Sequence, residues 1–483
     1  MNNSLGGRYR LMIAMLAITA YAPTLKTGFL WDDHITIEAN PWIREWSFHA
    51  LKHDFSSDVF DGHGDKYYRP LATLANRVDF TLWGLRPAGF HLTNLLIHLG
   101  NALLIAELVL ALSVPPLAAF LTASLFAVHP IGAEQLMIIS GRAELMSFFF
   151  SLTAVLLLLK KGRGATTAGW IAYLAALFSK ESGVMTPFVL ALVFYAQREP
   201  AATYRRLGPM ILALLPYLAL RQSIVGPTVN LPSLWLTFRF VLQEFPSVIV
   251  RYLALLLVPW NLHSHRLLPQ ISPIWPLILL LCVGVGAYGI RRYRHWAVFC
   301  IGWFLLALLP KMPVMIYGNF MLDHWAYPAS LAVLLPLAWL VHRGWKSSKD
   351  RVRTLTGLLY FVVIIAGSLL VHLNVALRGT DEKMYRWALH FTTSNPVKSN
   401  LGVLLLQTGR PGEAIPFLEE VRQVYPEDSK TTRALALAYW DAGYPRVAIR
   451  YLKEFLMTHP DDPLARAQLN NMKKHRAPSR PAR

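Results

Sequence analysis

Apolar residues along this chain gather into continuous runs, at positions 11–22, 117–128, 146–159, 277–289 and 355–371 among others. Several approach the roughly 20 residues that carry a helix across a bilayer. Polar connections between the runs are mostly short, and the pattern predicts an all-α polytopic membrane protein. The first run follows a basic start but lacks a small-residue cleavage pattern, so it reads as a permanent span and not as a signal peptide. It leads into an exceptional polar connection, about 26–90, too long for a simple turn. A span at about 91–112 returns, followed by pairs at 116–128 with 144–159 and 167–178 with 184–196.

Between 207 and 273 the pattern is less regular. A span at 207–220 is followed by an aromatic stretch, 230–245, that has to cross or re-enter, and by a second run at 248–258. Spans at 296–309, 327–341 and 355–371 complete the series. After Leu377 the runs stop and an amphipathic helical pattern begins. There Gly409-Arg410-Pro411-Gly412-Glu413-Ala414-Ile415 matches Gly443-Tyr444-Pro445-Arg446-Val447-Ala448-Ile449. Leu418 pairs with Leu452 and Pro426 with Pro460 at the same offset, which is the tetratricopeptide period of about 34 residues. Gly402, Ala436, Ala414 and Ala448 fall where the helices of a repeat approach closely, and the prolines end each second helix. Two repeats fall short of the usual minimum of about three, so 381–396 is expected to supply a capping helix. The expected organisation is a membrane domain over 1–377, a repeat module over 378–472 and a basic, disordered tail over 473–483.

Composition agrees with membrane residence: 54% of the 483 residues are hydrophobic and 16% charged, against about 25% charged in soluble domains, and the mean hydropathy is +0.37. The net charge of +19 would suggest nucleic acid in a soluble protein. Here the basic residues sit at 8–10, 160–163, 198–206, 291–294 and 343–353, in short connections, as the positive-inside rule requires, and no nucleic-acid partner is expected. Cys282 and Cys300 lie inside apolar runs and read as neither disulfide, metal ligand nor nucleophile. The histidines lack metal-ligand spacing, so no metal site is expected.

Taking the basic clusters as cytoplasmic puts a set of polar groups together on the opposite face. Asp32 and Asp33 follow the first span, where they either cap a helix-loop junction or act as a general base, one carboxylate staying ionised while the other orients it. With them come Tyr68, Arg69, His91, Asn94, His98, His129, Arg142, Glu144, Lys180, Glu181, His324 and Tyr327. Positions 91, 94 and 98 share one helical face. Ionisable groups at membrane depth are costly and mark function or a structural partner. Arg69, Arg142 and Lys180 are either anion ligands or partners of Glu144 and Glu181.

The succession Trp31-Asp32-Asp33, Tyr68-Arg69-Pro70-Leu71, Gly84-Leu85-Arg86-Pro87-Ala88-Gly89-Phe90-His91, Phe126-Ala127-Val128-His129-Pro130, Gly141-Arg142-Ala143-Glu144 and Ser179-Lys180-Glu181-Ser182-Gly183 resembles the transmembrane and tetratricopeptide-repeat (TMTC) O-mannosyltransferases, of the GT-C glycosyltransferases. The likeness covers nearly the whole chain. It implies inverting transfer of a mannose-like sugar from a polyprenyl-phosphate donor to an acceptor hydroxyl, a protein Ser or Thr or a glycan, at the non-cytoplasmic face, with no separate cofactor. It places the base in the Asp32-Asp33 pair and matches Arg69, Arg142 and Lys180 to family motif positions; their charge suits the donor phosphate. The chain departs from the family at His324, where an arginine is usual, and in its short repeat array. A polymerase or ligase of lipid-linked glycans, and a non-catalytic membrane scaffold with partner-binding repeats, are the competing readings. If bacterial, the protein would lie in the inner membrane with its site and repeats in the periplasm.

The parity of the spans generates a test. A compartment-sensitive reporter fused after Arg483 should give a non-cytoplasmic signal, since 343–353 stays inside and one span follows.

Overall fold

The computed structural model describes residues 5–62, 66–198, 200–226, 233–268 and 294–474, together with positions 274, 278, 279, 281, 282 and 286. The apolar run at 277–289 and the tail beyond Lys474 lie largely outside the described residues. The chain forms two compact units, Met1–Leu262 with Leu268–Gly379, and His263–Leu267 with Thr380–Arg483.

The first unit is a helical membrane domain. Five described helices are long and apolar enough to cross a bilayer: Pro87–Ala111, Ile139–Leu159, Arg205–Val225, Arg294–Gly318 and Asp350–Arg378. Two bent pairs meet the same test together, Pro116–Ala127 with Pro130–Met137 at 46° and Leu234–Gln243 with Phe245–Leu257 at 49°. The second pair contains the aromatic stretch whose path the sequence left open. In the Asp350–Arg378 helix Leu355, Leu359 and Phe361 are each more than 60% exposed, side chains that only lipid tails can cover at low cost. The protein is an integral membrane protein.

The Pro87–Ala111 helix is central, packing on Gly7–Tyr21, Pro116–Ala127 and Arg142–Leu159. Its proline stands at the first turn, where the missing N–H costs nothing. At Gly89 a Cβ would lie 2.2 Å from the Trp83 ring, so the absence of a side chain is what lets the Pro70–Trp83 helix fold back against it. The long connection at 26–90 is not an unstructured loop. It contains helices Phe48–Ser56 and Pro70–Trp83 and short turns at His34–Glu38 and Trp42–Arg44. Phe29, Ile37, Ile43, Phe90 and Ile139 form a hydrophobic cluster that fixes it to the bundle. Polar residues obscured this in the sequence because the segment buries them against partners of its own.

The second unit stacks helices Asp381–Leu389, Asn395–Gln407, Pro411–Val424, Ser429–Asp441, Pro445–Thr458 and Pro463–Lys474. Two helix pairs are flanked by single helices, and Asp381–Leu389 occupies the capping position. Ala414, Leu418, Ala436, Ala448 and Leu452 are all fully buried. A Cβ on Gly402 would lie 2.6 Å from Leu418 Cγ.

That approach leaves no room for a side chain. Gly402→Val should destabilise the repeat unit by about 1–3 kcal/mol, the usual cost of overpacking, seen as faster proteolysis between 380 and 474 with the membrane unit intact.

Candidate active site

Trp31 adopts φ 54°, a left-handed conformation rare for a bulky side chain and one that costs on the order of 1–3 kcal/mol. It turns the chain just before the carboxylate pair. The two aspartates then part company. Asp33 is fully buried, and its carboxylate accepts from Ser140 N at 2.7 Å on Oδ1, and from Ile139 N at 2.9 Å and Leu30 N at 3.0 Å on Oδ2. Burial pushes its pKa up to about 7, against the pull of the three N–H groups and with a smaller push from the Asp32 charge. Asp32 is only partly buried. Its carbonyl accepts from Thr36 N and Thr36 Oγ1, both at 2.9 Å, at the start of a wide helical turn over His34–Glu38. Asp33 therefore clasps the chain and Asp32 is the accessible carboxylate.

Most of the other polar residues singled out in the sequence are spent inside the protein. His91 contacts Thr27 Oγ1 at 2.8 Å and the carbonyls of Leu136 and Gly28 at 2.9 and 3.2 Å. His98 pairs with the Tyr327 hydroxyl at 2.8 Å, and Asn101 also donates to that hydroxyl. His129 meets the Leu256 carbonyl at 3.0 Å and accepts from Ile131 N. Tyr68 donates to the Phe55 carbonyl. Arg142, matched above to a donor-binding position, is 1% exposed and donates to Asn94 Oδ1, Asn76 Oδ1 and the Phe90 carbonyl, each at 3.0 Å, and to Asp79 at 2.5 Å. These four bonds hold the Pro70–Trp83 and Pro87–Ala111 helices together. His324 meets Glu134 at 2.7 Å, and Glu134 also takes Arg378 at 3.0 Å.

A second group is different in kind. Arg69 forms a two-point ion pair with Glu181, Nη2 to Oε1 at 2.8 Å and Nε to Oε2 at 3.2 Å. Lys180 and Lys311 share one carboxylate oxygen of Glu144, at 2.9 and 2.5 Å. Three cations thus meet two carboxylates, with one positive charge left over. Burial drags Lys180 down to about 8, Glu144 working against it and Lys311 and Arg69 with it. Burial would raise Glu181, but Arg69 and Lys180 outweigh it and hold it down to about 2. Glu144 also lines a small pocket whose other walls include Ser147, Ser182, Phe148, Leu152 and Trp303. Lys311 escaped the sequence reading: it follows an apolar run, with its partner 167 positions away. Among the described residues no cluster of His, Cys, Asp and Glu suits a metal.

No protein-family model matches the chain. Protein O-mannosyl-transferase F38B6.6 of Caenorhabditis elegans is 28% identical over 334 residues, 64% of this chain and 47% of that protein. Protein O-mannosyl-transferase TMTC2 of Mus musculus is 32% identical over 172 residues, 33% of this chain and 20% of that one. The chain is a relative of the TMTC-type protein O-mannosyl-transferases. It spans about half or less of the length of the curated TMTC relatives described here. Among solved structures, ArnT from Cupriavidus metallidurans bound to undecaprenyl phosphate aligns over 93% of this chain and 80% of its own, with a TM-score of 0.44 and 12% identity.

The division of labour between the aspartates has a direct consequence. In Asp33→Asn one carboxylate oxygen becomes an amide that faces a backbone donor, which should cost about 1–3 kcal/mol and lower the melting temperature. Asp32→Asn should leave the melt unchanged.

Proposed function

We propose that this TMTC relative is a membrane glycosyltransferase of GT-C type that moves a mannose-like sugar from a polyprenyl-phosphate donor to an acceptor hydroxyl, a protein Ser or Thr, at the non-cytoplasmic face, with inversion. The observation that carries the reading is the excess positive charge of the Arg69, Lys180 and Lys311 group, whose shared partner Glu144 also lines a largely apolar pocket. A buried charge without a partner is costly, and a phosphate carried on a hydrocarbon chain answers both the charge and the apolar walls. The phosphate would pull Lys180 and Lys311 from Glu144, and Arg69 would offer its planar fork.

In this mechanism the Asp32 carboxylate takes the proton of the acceptor hydroxyl. The oxygen attacks the anomeric carbon from the face opposite the phosphate, the bond from that carbon to the phosphate oxygen breaks, and the lipid phosphate leaves with the electron pair. Fixed positive charge at the leaving group stabilises the transition state without reorganisation, usually the largest catalytic contribution. Asp33 keeps Asp32 in place through its backbone clasp. The sugar is part of the donor, so no separate cofactor is required. A polymerase or ligase of lipid-linked glycans would use the same donor chemistry with a glycan acceptor. The repeat unit is proposed to dock the acceptor.

Asp32→Asn should lower turnover by roughly two to four orders of magnitude, the usual worth of a general base, with donor binding preserved; near-normal turnover would make the pair structural and favour a scaffold. Lys311→Ala and Arg69→Lys should both weaken donor binding measured by titration with a polyprenyl-phosphate sugar. Donor affinity should also fall as pH rises through about 8, where Lys180 loses its proton, and Lys180→Arg should remove that limb of the profile.

A further inference from the structure

Helix Pro70–Trp83 is built inside out. Its polar residues Thr73, Asn76, Arg77 and Asp79 are buried, whereas Val78 and Leu82 are 41% and 65% exposed. At the helical period Leu71, Leu74, Ala75, Val78 and Leu82 share one face, and the buried polar set lies on the other side. A helix bathed in water turns its apolar stripe to the core, the reverse of this arrangement. We infer that the outer face of this helix is covered by lipid acyl chains, so that part of the 26–90 segment is a membrane-embedded surface and not an aqueous connection.

Protein groups, not water, hold the polar side. Asp79 accepts from Arg142 at 2.5 Å and from Thr93 Oγ1 at 2.7 Å, Asn76 accepts from Arg142 at 3.0 Å, and Arg77 donates to Asp54. At the edge of the outer face stands Thr81, whose Oγ1 donates to the Arg77 carbonyl at 2.9 Å and accepts from Trp46 Nε1 at 2.7 Å. Its hydroxyl is therefore spent within the protein. The exposed Trp46 ring likewise offers carbon outward with its N–H already used, which suits an indole at a membrane boundary.

Position supports the same cover. The Pro87–Ala111 span has 25 residues, a length of about 37 Å against about 30 Å of hydrocarbon. Thr93, the partner of Asp79, lies about 9 Å along the axis from Pro87. It stands inside the hydrocarbon layer even when the whole excess of about 7 Å is placed at that end. A face exposed beside that depth meets acyl chains. Further along the same span Leu96 is 55% exposed, so the apolar surface continues toward the bilayer centre. The helix starts directly after Arg69, and lipid cover on it sets the Arg69 group beside the bilayer from which a lipid-linked donor arrives. That consequence rests on the donor reading above; the lipid contact does not.

Photolabelling of the native chain tests the contact without any substitution. The protein is reconstituted in phosphatidylcholine vesicles that carry a diazirine on the acyl chain, irradiated, and mapped by peptide mass spectrometry. Carbene insertion should reach Val78 and Leu82 and spare Asn76 and Asp79, at a yield within an order of magnitude of that at Leu355 and Leu359, the lipid-exposed reference in the Asp350–Arg378 helix. Diluting the protein with more lipid should leave that yield unchanged. Labelling of the reference with none over 71–82 puts the face in water and overturns the inference. Labelling that emerges only on dilution assigns the face to a second copy of the chain and overturns it as well. Either failure would leave the donor reading standing, since titration with a polyprenyl-phosphate sugar tests that separately.

Discussion

Removing an ionised side chain from water costs several kcal/mol unless the protein itself answers the charge. In the membrane unit this constraint acts on Asp33, Arg142, Glu144, Lys180 and Lys311, all under 10% exposed. Each solution ties together segments distant in sequence. Asp33 holds residues 139 and 140 through their backbone N–H groups. Arg142 joins two helices through Asp79, Asn76 and Asn94. Glu144 brings together Lys180 and Lys311. The helices supply apolar surface for packing, but these polar ties fix the register of their ends.

The polar clusters of the membrane unit differ in charge balance. Arg142 is buried and bonded to four partners. Lys180 and Lys311 converge on one carboxylate and retain an excess of positive charge. Asp33 and Asp32 differ in exposure: Asp33 is buried with three backbone donors on its oxygens, and Asp32 is partly exposed.

The 26–90 segment contributes more than a connection. Its two helices are fixed to the bundle by an apolar cluster around Ile37, Ile43 and Ile139 and by the fold-back that Gly89 permits. It carries Asp32, Arg69 and the Asp54–Arg77 pair on one framework.

Local chemistry was legible along the chain. Apolar runs gave the helical membrane unit, since a backbone in lipid has to satisfy its own hydrogen bonds, and the 34-residue offset from Gly409 to Gly443 gave the repeats, because only small residues fit at close helix crossings. The Asp32-Asp33 pair and the Arg69 and Lys180 motifs were visible for the same reason: charge next to an apolar run is expensive and therefore conspicuous. What the order of residues could not express is which charge answers which. Glu144 and Lys311 lie 167 positions apart, and Asp33 is bonded to the backbone of residues 139 and 140, whose side chains carry no signal. Only the folded chain decided that Arg142 is bonded to four partners and that Lys311 joins Lys180, because these are properties of distance and burial, and the helix packing sets both.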